Sequence, residues 1–386
     1  MPHILVEPHN DIDLNKSDKF PFIATGKYDQ KICVNNGNKE FLITKVKKKD
    51  NYLIKLDQTT RLTPVSMMKD ALNDYAEISG SKILFSNTDT VNNKIEPQKE
   101  YLKDINYFVD EFKTEKEIWI EVGFGSGTHL IHQAVSNPDK IIIGLEIHYP
   151  SIEQVLKQIK IQNITNILIV NYDARLFLEF LKSNSAGRVF VHFPVPWDKK
   201  PHRRVMSIGF IQECMRVLKI DGTLELRTDS PNYYEYSSGL LEHFKNHKSS
   251  IVKNQDLSVT SKYEARWKRQ EKDIWDITIV SNENSKEIIL KDNFSFNDTY
   301  TISQIQLNLP TKTIITDEYL VQFESIYTFI KDEKESILFK VIMGSFNRPV
   351  AKYIILENNK LRYFQGNPIT TKINLDAHKT ILEILQ

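Results

Sequence analysis

Residues 118–128, Ile-Trp-Ile-Glu-Val-Gly-Phe-Gly-Ser-Gly-Thr, constrain the fold of this chain more than any other stretch. Four apolar residues, Ile118, Trp119, Ile120 and Val122, run into three alternating glycines, and an apolar, helix-like segment over 130–135 follows. The pattern predicts a strand, a tight loop and a helix. Glycine at every second position lets backbone approach a ligand with no Cβ in the way. The first turn of the new helix presents N–H groups that have no partner within the helix.

The spacing of the glycines bears on the ligand. A dinucleotide fingerprint would need a third glycine at position 128, which is threonine. The spacing acidic-x-G-x-G-x-G fits in full with Glu121, Gly123, Gly125 and Gly127. It resembles the first motif of S-adenosylmethionine-dependent methyltransferases, whose cofactor carries a cationic amino group that an acid at a strand end can meet. A plain tight turn is the competing reading. A second strand-like run, 141–146, ends in Glu146. An acid there is placed to accept ribose hydroxyls, or is a solvated strand end. Asp173 follows a third strand, 164–170. It suits either the adenine amino group or the N-cap of the helix beginning near Leu176.

Strand-like and helix-like runs alternate from about 100 to 285: strands near 188–193, 223–229 and 275–280, helices near 152–159, 176–181, 207–218 and 233–244. Residues 219–222 read as the C-cap of the 207–218 helix. Such alternation predicts an α/β fold with a doubly wound, mostly parallel sheet and ligands at the carboxyl ends of its strands. The flanks differ. Residues 1–95 and 286–386 read as β-rich modules, one at each end, with a helix over 67–78, a polar linker at 87–93, and strands at 299–307, 337–343 and 353–357. Lys47, Lys48 and Lys49 sit in an expected hairpin turn; with Lys45 they are either solvated or an added grip on RNA.

The 386 residues leave room for two or three domains. A hydrophobic fraction of 40% with 26% charged residues is that of a globular protein. Net charge is +1, so a nucleic-acid partner must be argued from local clusters. Cys33 and Cys214, far apart, give no disulfide framework and no zinc spacing, and no other cluster has metal-ligand spacing. The start lacks a basic segment followed by an apolar one, and no run approaches the roughly 18 apolar residues of a membrane span. A cytoplasmic protein with no membrane partner and no metal is expected; oligomeric state is not readable.

The fourth strand leads into Phe-Pro-Val-Pro-Trp-Asp-Lys-Lys-Pro-His-Arg-Arg, residues 193–204. Pro194 and Pro196 keep its exit out of helix. Lys199, Lys200, Arg203 and Arg204 oppose Asp198 alone, which suits phosphate contacts. His192 reads as a core histidine and Trp197 as packed beneath the loop. Taken in order, EVGFGSG, IGLEIH, NYDA, FPVPWDKKPHRR, LRTD and SKYEARW resemble the bacterial tRNA (guanine-N7-)-methyltransferase family across its whole catalytic domain, about 110–280. The resemblance implies that Glu121, Glu146 and Asp173, beside Gly123, Gly125 and Gly127, bind S-adenosylmethionine. It implies that Lys199, Asp229 and the segment Ser261, Lys262, Tyr263 and Glu264 face tRNA, with Arg266 beside them. The implied reaction is methyl transfer to guanine N7 in the variable loop. The chain departs from the family at Val195, where an aspartate is usual, and at Ser261, where threonine is usual. With no family acid at 195, Asp229 and Glu264 are the candidates for holding the guanine edge. The alternatives are a tRNA-binding relative without turnover, or a methyltransferase for another RNA or a small molecule.

Overall fold

The computed structural model describes residues 2–9, 11–12, 18–37, 39–60, 62, 66–88, 95–105, 107–255, 273–289, 292–346 and 349–386. The chain divides into two compact units: Asn93–Ile289, and Met1–Asn92 together with Leu290–Gln386. The first segment of the flanking unit holds β1 (His3–Val6), β2 (Ile23–Thr25), β3 (Asp29–Asn35), β4 (Glu40–Lys48), β5 (Asn51–Leu56), α1 (Ser66–Ser79) and β6 (Ile83–Ser86). The middle unit follows as β7 (Leu102–Lys103), β8 (Ile118–Val122), α2 (Thr128–Ser136), β9 (Ile141–Leu145), α3 (Tyr149–Gln162), β10 (Ile167–Val170), α4 (Ala174–Phe177), β11 (Ala186–His192), α5 (Ile208–Val217), β12 (Leu218–Thr228), α6 (Pro231–Leu240), β13 (Lys248–Lys253) and β14 (Trp275–Val280). The last segment holds α7 (Ile302–Asn308), β15 (Ile314–Ile315), β16 (Tyr319–Lys331), β17 (Lys334–Ser345), β18 (Val350–Glu357), β19 (Lys360–Tyr363) and α8 (Lys372–Leu385).

The middle unit is a mixed, Rossmann-like sheet in the order β13-β14-β12-β11-β8-β9-β10-β7. Strands β7 to β12 are parallel where they pair, and β14 runs against both β12 and β13. Alternation along β8 sorts its side chains to two faces. Ile118, Ile120 and Val122 join a core with Phe177, Phe210, Ile211 and Cys214. Trp119 joins a second core with Leu130, Ile131, Ile152, Val155 and Leu156. From β8 the chain steps outward to β9 and β10, then returns to lay β11 on the other side of β8. The crevice that such a reversal opens lies at the carboxyl ends of β8 and β11.

The two flanking stretches, read from sequence as a module at each end, share one sheet. Its order is β19-β18-β17-β16-β2-β3-β4-β5-β1-β6, with β15 on β16, and Thr25 pairs with Thr328 where the segments meet. Phe22 stacks on Phe329 with ring centroids 4.2 Å apart. A pairing across about 300 residues leaves no local trace in sequence.

Two element readings are corrected, and one strand is added. Residues 299–307 contain a helix, not a strand: Thr301 caps it by accepting the Gln304 N–H, and Ile302, Ile305 and Leu309 pack at helical spacing while Leu307 is exposed. The 207–218 helix does not end on Gly222; Leu218 is already extended and begins β12. Gly222 is there because a Cβ would meet the Gly187 carbonyl of β11 at 3.0 Å. Strand β13 was not anticipated.

Candidate active site

The glycine loop leaves β8 as expected. Gly123, Gly125 and Gly127 have φ of 69°, 53° and 73°, values that side chains rarely tolerate. The Gly123 N–H donates to the Leu145 carbonyl at 2.8 Å, tying the loop to the end of β9. A Cβ on Gly123 or Gly125 would meet nothing within 4 Å, whereas one on Gly127 would lie 2.1 Å from Val155 Cγ2. Two glycines therefore leave open space and the third lets α2 pack on α3. Gly127 also starts α2, a nine-residue helix, with no side-chain cap, so no side chain of that residue satisfies the first N–H groups.

Glu146 reaches back across the loop. Its Oε2 accepts the Gly125 N–H at 2.9 Å, and its Oε1 accepts the Ile147 and His148 N–H groups at 2.8 and 2.9 Å. Glu121 is 3% exposed, with its Oε2 2.9 Å from His129 Nδ1. Asp173 caps α4: its Oδ1 accepts the Arg175 N–H at 3.0 Å, and Arg175 Nη2 donates to its Oδ2 at 2.7 Å. The two readings offered for Asp173 thus meet in a residue whose capping role is present. Glu121, Glu146 and Asp173 come to the ends of three neighbouring parallel strands, β8, β9 and β10.

The loop after β11 is held from behind. Arg204, counted from sequence among the surface cations, is 8% exposed. Its Nε donates to the Pro196 carbonyl at 2.7 Å, Nη2 reaches Asp198 at 3.3 Å, and its guanidinium lies over the Tyr236 ring at 4.5 Å. Lys199, Lys200 and Arg203 remain exposed. Phe193 and Trp197 adopt φ of 50° and 48° on either side of the two prolines, a conformation rare for bulky residues and concentrated at functional loops. Trp197, expected to be packed, is 37% exposed, with the Arg203 guanidinium 5.1 Å from its ring centre. Val195 is 60% exposed. Asp229 stands, half-buried, between β12 and α6. Ser261, Tyr263, Glu264 and Arg266 lie outside the described residues.

Sequence reasoning passed over His129 and Arg227. His129 packs edge-on to Phe190 and lies 4.5 Å from the His192 ring centre. His192 is the last residue of β11, and burial, with the Arg227 and Arg188 guanidiniums nearby, holds its pKa well below the usual imidazole range. Arg227, 1% exposed, donates to Asp276 at 2.8 Å and to the Gln255 carbonyl at 3.0 Å. One signal was available: Glu121 and His129 each lie four residues from Gly125, so a reversal centred there brings them together. Arg227 and Asp276 meet only through antiparallel pairing of β12 and β14, which the sequence does not announce. Among the described residues, no group of His, Cys, Asp and Glu could hold a metal ion, and no helix is long and apolar enough to cross a membrane.

A family model described as "Putative methyltransferase" matches residues 115–277, the span that carries this loop and these strand ends. The chain belongs to the tRNA (guanine-N(7)-)-methyltransferase family. It is 40% identical over 354 residues to the Wolinella succinogenes protein of that name, covering 90% of this chain and 89% of that one. It is 40% identical over 366 residues to the Helicobacter pylori protein, covering 93% and 91%, and 36% identical over 401 residues to a Campylobacter jejuni protein, covering 100% and 99%.

Proposed function

We infer that this protein transfers a methyl group from S-adenosylmethionine to N7 of a guanine in the variable loop of tRNA. The observation that carries the reading is the set of three carboxylates, Glu121, Glu146 and Asp173, at the tips of adjacent parallel strands beside an open glycine loop. The space left at Gly123 and Gly125 fits a ligand that backbone must approach closely. The sheet is taken as doubly wound, with the donor across the ends of β8, β9 and β10. Glu121 serves the cationic amino group, Glu146 the ribose and Asp173 the adenine side. When bound, the cofactor supplies a methyl group already activated on a sulfonium sulfur.

What the chain must add is modest. Guanine N7 exposes a lone pair and has no proton to remove, so no general base is required at that atom. Positioning does most of the acceleration. Lys199, Lys200 and Arg203 are the cations available to tRNA phosphates. Asp229 or Glu264 holds the amino and imino edge of the guanine in place of the acid absent at Val195. Carboxylates nearby also offset the positive charge that the product acquires. In the flanking unit Lys45 is not available, being 4% exposed and paired with Asp11 at 2.7 Å; Lys47, Lys48 and Lys49 are exposed on the β4–β5 hairpin. A cytoplasmic site of action follows from a tRNA substrate.

The test incubates purified protein with labelled S-adenosylmethionine and unmodified tRNA, then maps the modified nucleoside. Label in 7-methylguanosine of the variable loop is expected, and Asp229→Asn should lower turnover at least tenfold. Label at another nucleoside, or none, overturns the reading.

A further inference from the structure

Beneath the glycine loop runs a chain of side-chain hydrogen bonds that the proposed reaction does not use. Asn137, the residue that ends α2, donates from Nδ2 to Gln133 Oε1 at 3.2 Å and to the Gln133 carbonyl at 2.9 Å. With Oε1 accepting, the Gln133 amide nitrogen is the group that faces His129 Nε2, 2.9 Å away. An amide nitrogen can only donate, so Nε2 of His129 accepts and the ring proton sits on Nδ1. Nδ1 in turn is 2.9 Å from Glu121 Oε2. The direction of every bond in the chain is therefore set, from the C-terminal end of α2 to the carboxylate at the end of β8. The His129 side chain is 11% exposed and that of Glu121 4%. His129 is further clamped by the Phe190 and His192 rings, at 4.9 and 4.5 Å.

We propose that His129 is a positioning residue that acts through Glu121, fixing Oε2 so that Oε1 is aimed at the ammonium group of the bound methyl donor. The inference rests on the assignment of the glycine loop to S-adenosylmethionine. Its physical basis is that of second-layer ligand support: a group that orients a binding carboxylate strengthens one contact of the ligand and leaves the others alone. A carboxylate oxygen this deeply buried needs a hydrogen-bond donor, and the donor that meets it also aims it. His192, held neutral beside the ring, adds no competing charge.

The test compares two ligands that differ in the part Glu121 would meet. S-adenosylhomocysteine carries the amino acid; 5′-methylthioadenosine keeps the nucleoside and lacks it. In full-length protein, His129→Ala should weaken S-adenosylhomocysteine about tenfold by calorimetry, and leave 5′-methylthioadenosine within about twofold. His129→Asn, whose amide can donate from near the Nδ1 position, should restore most of the loss. Nitrogen NMR of the wild type should show His129 as the neutral tautomer protonated on Nδ1, a readout that stands even if the alanine variant fails to fold. Equal weakening of both ligands, no weakening of either, or an Nε2-protonated ring overturns the proposal. Wild type that binds neither ligand instead overturns the cofactor site itself, and this inference with it.

Discussion

Both units bury carboxylates, but they use them differently. In the flanking unit, Asp57 is 6% exposed and wholly engaged. Its Oδ1 accepts the Thr59 and Thr60 N–H groups at 2.9 and 3.2 Å; its Oδ2 takes Lys31 at 3.1 Å and the Tyr353 hydroxyl at 3.0 Å. Burial opposes the charge on Lys31, yet Asp57 and Asp29 outweigh it and hold its pKa above the usual lysine value. Burial, with Asp57 beside it, pushes the Tyr353 hydroxyl well up. In the middle unit, Glu121 is met by one side chain, His129, two residues before the glycine whose Cβ position is open. A carboxylate consumed on all sides stabilises a fold and offers nothing to a ligand. One oriented by a single side chain retains capacity to bind.

The contrast can be broken by substitution, and the largest effect belongs to the closed network. Asp57→Ala leaves Lys31 buried with part of its compensation gone and should cost about 3–5 kcal/mol in urea unfolding followed by circular dichroism. The double replacement Lys31→Met with Asp57→Leu should recover the part due to the stranded lysine, because an apolar pair is often as stable as a buried ion pair, while the Thr60 N–H and the Tyr353 hydroxyl still lose their acceptor. A cost for Asp57→Ala below about 1 kcal/mol would show the network to be ornamental.

A smaller effect separates the glycines. Gly127→Ala combines a left-handed backbone with a Cβ 2.1 Å from Val155 Cγ2, for about 2–4 kcal/mol. Gly125→Ala meets only the backbone term, about 1–2 kcal/mol, yet should weaken the methyl donor as much as Gly127→Ala does. If Gly125→Ala bound the donor normally, the open space would not be its seat.

The smallest effect is electrostatic. His192 is neutral when folded because burial and neighbouring cations oppose its charge, whereas the unfolded chain protonates it near pH 6.5. The unfolded state then binds the extra proton, so stability is full above about pH 6.5 and falls as pH drops below it, by at most about 1.4 kcal/mol per pH unit. His192→Asn should remove that part of the slope. The remainder comes from groups such as His378 and His9 in the flanking unit, both also lowered by burial.

Much of the middle unit was legible. Strands β8, β9, β10, β11 and β12 and the intervening helices follow from short periodic runs, and the glycine loop and its three acids lie within a few residues of strand ends. What was not legible depended on partners far away. Residues 299–307 alternate well enough to pass for a strand; the Thr301 cap and the packing of Ile305 settle them as helix. Lys45 and Arg204 looked like surface cations because charge alone does not reveal that Asp11 or the Pro196 carbonyl is waiting. Thr25 and Thr328 face each other because the sheet closes there, a fact no window of sequence contains.

Arg204 has one more consequence. By gripping the Pro196 carbonyl and Asp198 from the protein side, it holds the Pro-Val-Pro-Trp turn through contacts within the chain. A polyanion meeting the exposed Lys199, Lys200 and Arg203 there encounters cations on a turn braced from behind by Arg204. The conformational entropy lost in shaping that turn is charged to folding and not to association. Encounter should then be fast, and heat-capacity change on binding should report buried area with little contribution from local ordering.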